Sequence, residues 1–326
     1  MKKDHVFITR KIHDSAISMM KPYANLEIWP EPFPPDETTL IEQAQKSNGL
    51  VTLLTDPITE RVIRAGLPDL KVISQMAVGV DNIDLQFANK SKIPVGHTPG
   101  VLTETTADFT WALLLSAARR VVESSNEVHD GIWRPWGPDV LCGLDVHGAT
   151  LGIIGLGRIG KAVARRAVGF SMRVLYYEPQ RLPEVEQELG VSYRPLDELL
   201  AQSDFITLHV YMTDTTRHMI NEEKLSLMKP NAILVNTSRG GIIDVNALYN
   251  SLKDNQIRAA ALDVFDPEPI PKNHPILKMK NLLLTPHIAS ASEQTRKKMA
   301  TMAAENLIAG ITGKKLPFCA NPEVFS

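Results

Sequence analysis

The sequence predicts an α/β fold built from two doubly wound parallel sheets. Three observations predict it. Short apolar, β-branched-rich runs recur along the chain with stretches of helical pattern between them, the signature of strands buried on both faces of a parallel sheet. A glycine-rich turn at residues 155–160 follows one such run and opens a helical stretch. At 326 residues the chain has room for two domains of about 100–200 residues each.

In the first hundred residues the apolar runs are 6–9, 26–29, 50–54, 72–76 and 93–95. Residues 31–36 form a proline-rich loop, and Asp36 is placed to cap a helix around 40–45. The Pro99-Gly100 pair breaks the pattern. A long helix follows with Thr103 as its N-cap and Thr106 at its third position; Ala107, Trp111, Leu114, Leu115 and Ala118 recur at helical spacing, and Arg119 and Arg120 fall near its middle. The loop 131–138 ends it. A second series begins at Gly148, with strands at 151–154, 173–177, 205–210, 232–236, 259–264 and 282–285. Helices are expected at 161–168, 246–253 and 293–309.

Composition excludes several functions. The chain is 44% hydrophobic and 22% charged with a net charge of −2, so no basic excess points to nucleic acid or an anionic membrane as partner. The apolar run after the N-terminus is only three residues, too short for the core of an export signal. No stretch of about 18 apolar residues predicts a membrane span. Two cysteines, Cys142 and Cys319, make no disulfide framework and read as reduced thiols, which suggests a cytoplasmic location.

The strongest motif is Gly155-Leu156-Gly157-Arg158-Ile159-Gly160. A bare G-x-G-x-x-G is weak, but here it joins a strand to a helix, and the next strand ends at Glu178, 18 residues after Gly160. That is close to the spacing of about 20 expected of the acid that holds the adenosine ribose. Gly155 permits a tight turn, Gly157 lets a pyrophosphate approach the backbone, and Gly160 allows close helix–strand packing. The helix N-terminus offers free N–H groups and partial positive charge. A Rossmann-type dinucleotide site is the result. The Glu178 carboxylate would repel a 2′-phosphate and so favours NAD(H), while Arg181 nearby keeps NADP(H) open.

Three later strands end in polar residues: Arg239 after the strand at 232–236, Glu268 after 259–264 and His287 after 282–285. Alone, each has an ordinary reading: a loop cation, an exposed turn acid, a strand-end cap. On strand ends that share the edge of the glycine turn they make a kit for reducing a carbonyl. Hydride addition leaves negative charge on oxygen, and histidine is the usual proton donor. At about 4 Å and an effective dielectric of about 20, a carboxylate attracts the protonated imidazole by about 4 kcal/mol as an upper guide. Arginine grips a substrate carboxylate bidentately. Arg239 is thus expected to bind, His287 to act as acid/base and Glu268 to tune His287.

These residues carry a resemblance. With the stretches Leu53-Leu54-Thr55-Asp56, Ala77-Val78-Gly79-Val80-Asp81-Asn82, Thr98-Pro99-Gly100-Val101 and Thr285-Pro286-His287-Ile288-Ala289-Ser290, the chain resembles the D-2-hydroxyacid dehydrogenases, especially their glyoxylate/hydroxypyruvate reductase branch, over nearly its whole length. The resemblance implies reduction of a small 2-oxo acid (glyoxylate to glycolate, hydroxypyruvate to D-glycerate) by a triad of Arg239, Glu268 and His287. It implies a smaller, flavodoxin-like substrate domain from residues 1–100 plus 288–326 and a dinucleotide domain from 101–287. The backbone at Val78 and Gly79 would take the substrate carboxylate, and Leu54 and Ser290 would line the pocket. Thr106 and Asp263 would lie near the nicotinamide, Val210 near the adenine, and Thr237 and Ser238, with Arg158 and Ile159 of the glycine motif, against the cofactor. The helix from Thr103 would contribute to a homodimer interface. Two departures stand out. Val210-Tyr211 replaces the Leu-Pro pair frequent in the family, and Trp133 and Trp136 occupy the loop where some hydroxypyruvate reductases place a pocket-shaping tryptophan. Val78 stands where phosphite-oxidising relatives carry a lysine, which counts against phosphite. Rival readings are a D-lactate or D-3-phosphoglycerate dehydrogenase, an NAD-sensing corepressor-like binding protein and an idle paralogue. The first domain offers no added cations for a phosphorylated substrate, and the intact triad argues against idleness.

Overall fold

A computed structural model describes residues 3–326. The chain divides into two compact units, one formed by Met1–Leu102 with Ala291–Ser326 and the other by Thr103–Ser290. Each has its own parallel sheet.

In the first unit the strands are β1 (Asp4–Ile8), β2 (Ala24–Ile28), β3 (Gly49–Thr52), β4 (Val72–Gln75) and β5 (Val95–Gly96). They lie in the order β2-β1-β3-β4-β5, all pairs parallel, which is the flavodoxin-like order. Every residue of β3 and β4 is buried, as expected of central strands covered on both faces. Asp36 caps the helix Glu37–Ala44, its carboxylate accepting from the Thr39 N–H at 2.8 Å. The C-terminal helix Glu293–Ile311 belongs to this unit. Its Met299, Ala300, Ala303, Ala304 and Leu307 pack with Val6, Val51 and Val72 of the sheet. The Ser74 hydroxyl donates to the Ala303 carbonyl at 2.7 Å, and the Val95 N–H donates to Asn321 Oδ1 at 2.7 Å, so the tail is stitched to the strands by buried polar groups. Gly310 lies so close to the sheet that a Cβ there would overlap the Val72 side chain.

The second unit holds β6 (Thr150–Ile154), β7 (Arg173–Tyr177), β8 (Ser192–Tyr193), β9 (Phe205–Leu208), β10 (Ile233–Asn236), β11 (Ala259–Leu262) and β12 (Leu282–Leu284). Their order is β12-β11-β10-β9-β6-β7-β8. The connections reverse direction between β6 and β9, and that reversal makes a topological switch point. Alternate residues serve the two faces: Leu151 and Ile153 pack with Trp111, Leu114 and Val163, whereas Ile154 packs with Leu208, Leu234 and Leu248. Each such side chain contributes about 1.5–3 kcal/mol on burial.

Two expectations are corrected, and one strand was unforeseen. Thr103 is the first residue of the helix Thr103–Ala118 rather than its cap. The long helix is two, because Arg120 adopts a left-handed φ of 53° and a second helix, Val121–His129, starts beyond it. The Arg120 guanidinium fixes the break by donating to Glu123 at 2.8 and 2.7 Å. Finally, β8 was not anticipated, since two residues carry no legible period. Among the described residues no helix is long and apolar enough to cross a membrane.

Gly310→Ala is expected to destabilise the first unit by about 1–3 kcal/mol, the usual cost of overpacking, seen as a lowered Tm. An unchanged Tm contradicts the close approach of helix and sheet.

Candidate active site

All strand pairs of the second sheet are parallel, so the turns after β6, β10, β11 and β12 leave from one edge. Ligands bind at this edge in open α/β sheets.

The turn after β6 is shaped to approach a phosphate. Gly155 has φ +94°, and a Cβ there would lie 2.7 Å from the His209 carbonyl carbon and 2.9 Å from Val210 Cγ1. A Cβ on Gly160 would overlap the Gly155 carbonyl oxygen. Gly157 differs: a Cβ there would meet nothing within 4 Å, so its face is open. Gly157 is also the N-cap of the helix Arg158–Ala167, without a side-chain capping bond. The first N–H groups of that helix are the kind of donors that suit a pyrophosphate. Arg158 is exposed and Ile159 half-buried at its start. Glu178 follows β7 directly, and its Oε1 accepts from the Leu156 N–H at 2.5 Å, bracing the turn. The open glycine, helix N-terminus and strand-end acid together fit a dinucleotide. Val210 forms one wall beside Gly155, and Tyr211, in the position of the missing proline, is 78% exposed.

Beneath this edge, the Thr106 carbonyl accepts from the Thr110 hydroxyl at 2.8 Å, and Thr110 Oγ1 lies 2.8 Å from Thr237 Oγ1. The helix is thereby tied to the end of β10. Buried Asn236 then folds the next turn: its Oδ1 accepts from the Ser238 N–H at 3.0 Å and hydroxyl at 2.8 Å, and its amide donates to the Arg239 carbonyl at 2.9 Å. Arg239 is half-buried, and its Nη1 donates to the Ser238 carbonyl at 2.8 Å. A Cβ on Gly240 would overlap the Phe265 carbonyl. Only glycine lets the Arg239 turn pack against the turn after β11.

That second turn carries Glu268, which uses both carboxylate oxygens. Oε1 accepts from the Phe265 N–H at 2.8 Å, and Oε2 lies 2.8 Å from His287 Nδ1. The His287 and Glu268 side chains are 23% and 27% exposed, shielded yet reachable. With Nδ1 engaged by the carboxylate, Nε2 is the ring nitrogen available for proton transfer.

His287 itself has φ +55°, a left-handed conformation that costs a non-glycine residue about 1–3 kcal/mol. Asp263 holds it there. This fully buried carboxylate accepts from the Thr285 hydroxyl at 2.6 Å and from the N–H groups of Ile288 and Ala289 at 2.9 and 2.7 Å. Its carbonyl accepts the His287 N–H at 2.8 Å. Sequence reasoning assigned Asp263 to the nicotinamide and missed this clamp; an aspartate in an apolar strand four residues before Pro267 was the available signal. Ser290, half-buried, follows the clamped turn. A second histidine, His209, lies after β9; burial lowers its imidazole to about 3, so it is neutral and His287 is left as the acid/base candidate of this edge.

In the first unit Leu54 follows β3, and Val78 and Gly79 follow β4, all half-buried. A partly buried network that sequence reasoning missed joins these two turns. Thr52 donates to Gln75 Oε1 at 2.7 Å, Gln75 Nε2 donates to Asn82 Oδ1 at 2.5 Å and to the Gly79 carbonyl at 3.3 Å, and Asn82 donates to the carbonyls of Leu53 and Asp56 at 3.1 and 2.8 Å.

Residues 111–289 match the family described as D-isomer specific 2-hydroxyacid dehydrogenase, NAD binding domain. A glyoxylate reductase of Korarchaeum cryptofilum is 52% identical over 323 residues, covering 99% of this chain and 97% of the relative. The crystal structure of a Thermus thermophilus protein superposes with a TM-score of 0.91 at 42% identity, covering 97% of this chain and 99% of that one. An NADPH-dependent glyoxylate/hydroxypyruvate reductase of Sinorhizobium meliloti superposes with a TM-score of 0.85 at 28% identity, covering 99% and 98%.

Gly240→Ala is expected to push the Arg239 turn off Phe265 and lower nicotinamide-linked turnover by about 100-fold, the cost of a misplacement of about 1 Å. Steady-state kinetics check this; wild-type kcat/KM in that variant contradicts it.

Proposed function

The chain belongs to the D-isomer specific 2-hydroxyacid dehydrogenase family, and on that premise we propose that it reduces glyoxylate to glycolate, and hydroxypyruvate to D-glycerate, with NADH as the preferred reductant. The observation that carries the reading is the 2.8 Å pair between His287 Nδ1 and Glu268 Oε2, on the edge that also bears Gly157 and Arg239.

When bound, reduced nicotinamide would supply the hydride for the carbonyl carbon. Arg239 grips the substrate carboxylate and polarises the carbonyl oxygen. As negative charge develops on that oxygen, His287 donates a proton from Nε2, and Glu268 stabilises the imidazolium and fixes the ring through Nδ1. In the reverse direction His287 takes the hydroxyl proton. Asp263 keeps the His287 turn in its strained form. Gly155, Gly157, Gly160, Arg158 and Ile159 would hold the pyrophosphate, Glu178 the adenosine ribose, Val210 the adenine, and Thr106, Thr237 and Ser238 the rest of the cofactor. Val78 and Gly79 would offer backbone N–H groups to the substrate carboxylate, with Leu54 and Ser290 lining its pocket. Glu178 disfavours a 2′-phosphate by charge, which supports NADH over NADPH.

We assign the protein to the cytoplasm as a homodimer. Two free thiols suit a reducing compartment. The helix Val121–His129 and the loop beyond it expose Val121, Val122, Val128, Ile132, Trp133 and Trp136, beside a groove of about 560 Å³ lined by Arg120, Glu123, Arg258, Met279 and Leu282. An exposed apolar arm of this kind supports the homodimer reading. Light scattering is expected to give twice the 36.1 kDa chain mass, and a monomer contradicts the assignment.

His287→Ala is expected to cut glyoxylate-dependent NADH oxidation by about 10²–10⁴-fold, the contribution of a general acid, with NADH binding retained. Undiminished turnover in this variant refutes the mechanism.

A further inference from the structure

Arg181 lies three residues beyond Glu178, in the loop that follows the second strand of the dinucleotide fold. There an arginine is positioned to bind a ribose 2′-phosphate. In this chain its guanidinium is engaged elsewhere. Nε donates to Glu186 Oε1 at 2.7 Å and Nη2 to Oε2 at 2.8 Å, a fork-to-fork pairing that takes up one of its two bidentate edges. Glu186 is anchored from the other side. The Tyr176 hydroxyl donates to Oε1 at 2.8 Å and accepts from the Leu182 N–H at 2.7 Å. Tyr176 is fully buried in β7, so the carboxylate is tied to the sheet. The Arg181 guanidinium, helped by the Tyr176 hydroxyl, holds the Glu186 carboxyl down to about 2, so the pair stays charged throughout the neutral range. The arginine side chain is 63% exposed and the glutamate 15%: the cation is at the surface and its tether is beneath it.

We propose that Glu186 is a second determinant of cofactor choice, withholding Arg181 from a ribose 2′-phosphate so that NADPH meets the charge of Glu178 with no cation released to answer it. This rests on the ribose role of Glu178 proposed above and adds a residue that touches neither ribose nor phosphate. Glu186 is a positioning residue acting through Arg181. Two carboxylates thus act in series. One repels the phosphate directly, and the other occupies its partner and adds a negative charge beside the place the phosphate would take. With Nε and Nη2 committed to Glu186, capture of a 2′-phosphate by that edge requires breaking the pair, and capture by the remaining Nη1–Nη2 edge leaves the Glu186 charge beside the phosphate.

The test measures NADH and NADPH dissociation constants on the full chain by quenching of tryptophan fluorescence. The variants are Glu178→Gln, Glu178→Gln with Glu186→Gln, and that double variant with Arg181→Ala. Glutamine at 178 keeps an acceptor for Leu156 and removes the repulsion; glutamine at 186 keeps the shape and removes the hold on Arg181. Adding Glu186→Gln is expected to tighten NADPH about fivefold, the upper worth of an exposed ion pair, to leave NADH unchanged, and to lose that gain when Arg181 becomes alanine. No selective tightening of NADPH in a double variant that still binds NADH overturns the proposal, as does a gain that survives Arg181→Ala. The wild-type ratio of NADPH to NADH binding tests Glu178 separately. Equal binding there refutes the ribose reading and leaves the Glu186 comparison between variants readable.

Discussion

Asp263 is the point on which the candidate chemistry depends. A fully buried carboxylate is costly unless its charge is answered, and here three donors answer it, all from the turn that carries His287. The same contacts force His287 into a left-handed backbone and stop the turn from relaxing. Local strain is held by surrounding structure that over-determines it. Asp263 is also the first residue after β11, so the register of a buried parallel strand sets the position of the turn. The Glu268 carboxylate then meets Nδ1 of a ring whose backbone is already fixed.

The rest of the edge follows the same logic of short turns pinned to buried strand ends. Asn236 folds the turn after β10, Gly240 lets it approach Phe265, and Glu178 braces the glycine turn after β6. The Asn236 and Glu178 tethers are polar groups bonded to turn backbone, and the turns need little reorganisation for catalysis. Preorganised dipoles and charges of this kind supply much of the stabilisation of developing charge in enzymes. In the first unit, the network through Gln75 and Asn82 does the same for the turns after β3 and β4.

Much of this architecture was legible in the sequence, for physical reasons that can be named. Strands buried on both faces are largely apolar, and polar members such as Thr52, Ser74, Gln75 and Asn236 are hydrogen-bonded, so β3, β4, β9 and β10 stand out as runs. The glycine turn was legible because Gly155 and Gly160 stand where a Cβ would clash with neighbouring backbone. Arg239, Glu268 and His287 were legible as polar residues of the turns beyond β10, β11 and β12, and the roles proposed for them come from the family resemblance. What stayed hidden depends on side chains meeting across turns. The break at Arg120 is invisible because the apolar spacing runs on through it and the left-handed residue is an arginine rather than a glycine. β8 is too short to show a period. The Asp263 clamp closes between the end of β11 and the turn after β12 and shows locally only as an aspartate in an apolar strand, and the hold of Glu186 on Arg181 joins a loop to the helix beyond it at a spacing that follows no regular period.

The central claim is that this edge reduces a 2-oxo acid. The most direct measurement is the loss of the reduced-nicotinamide absorbance in wild-type protein supplied with NADH and glyoxylate, hydroxypyruvate or pyruvate in turn. The account predicts rapid oxidation with glyoxylate or hydroxypyruvate. A protein that binds NADH yet oxidises it with none of the three would contradict it.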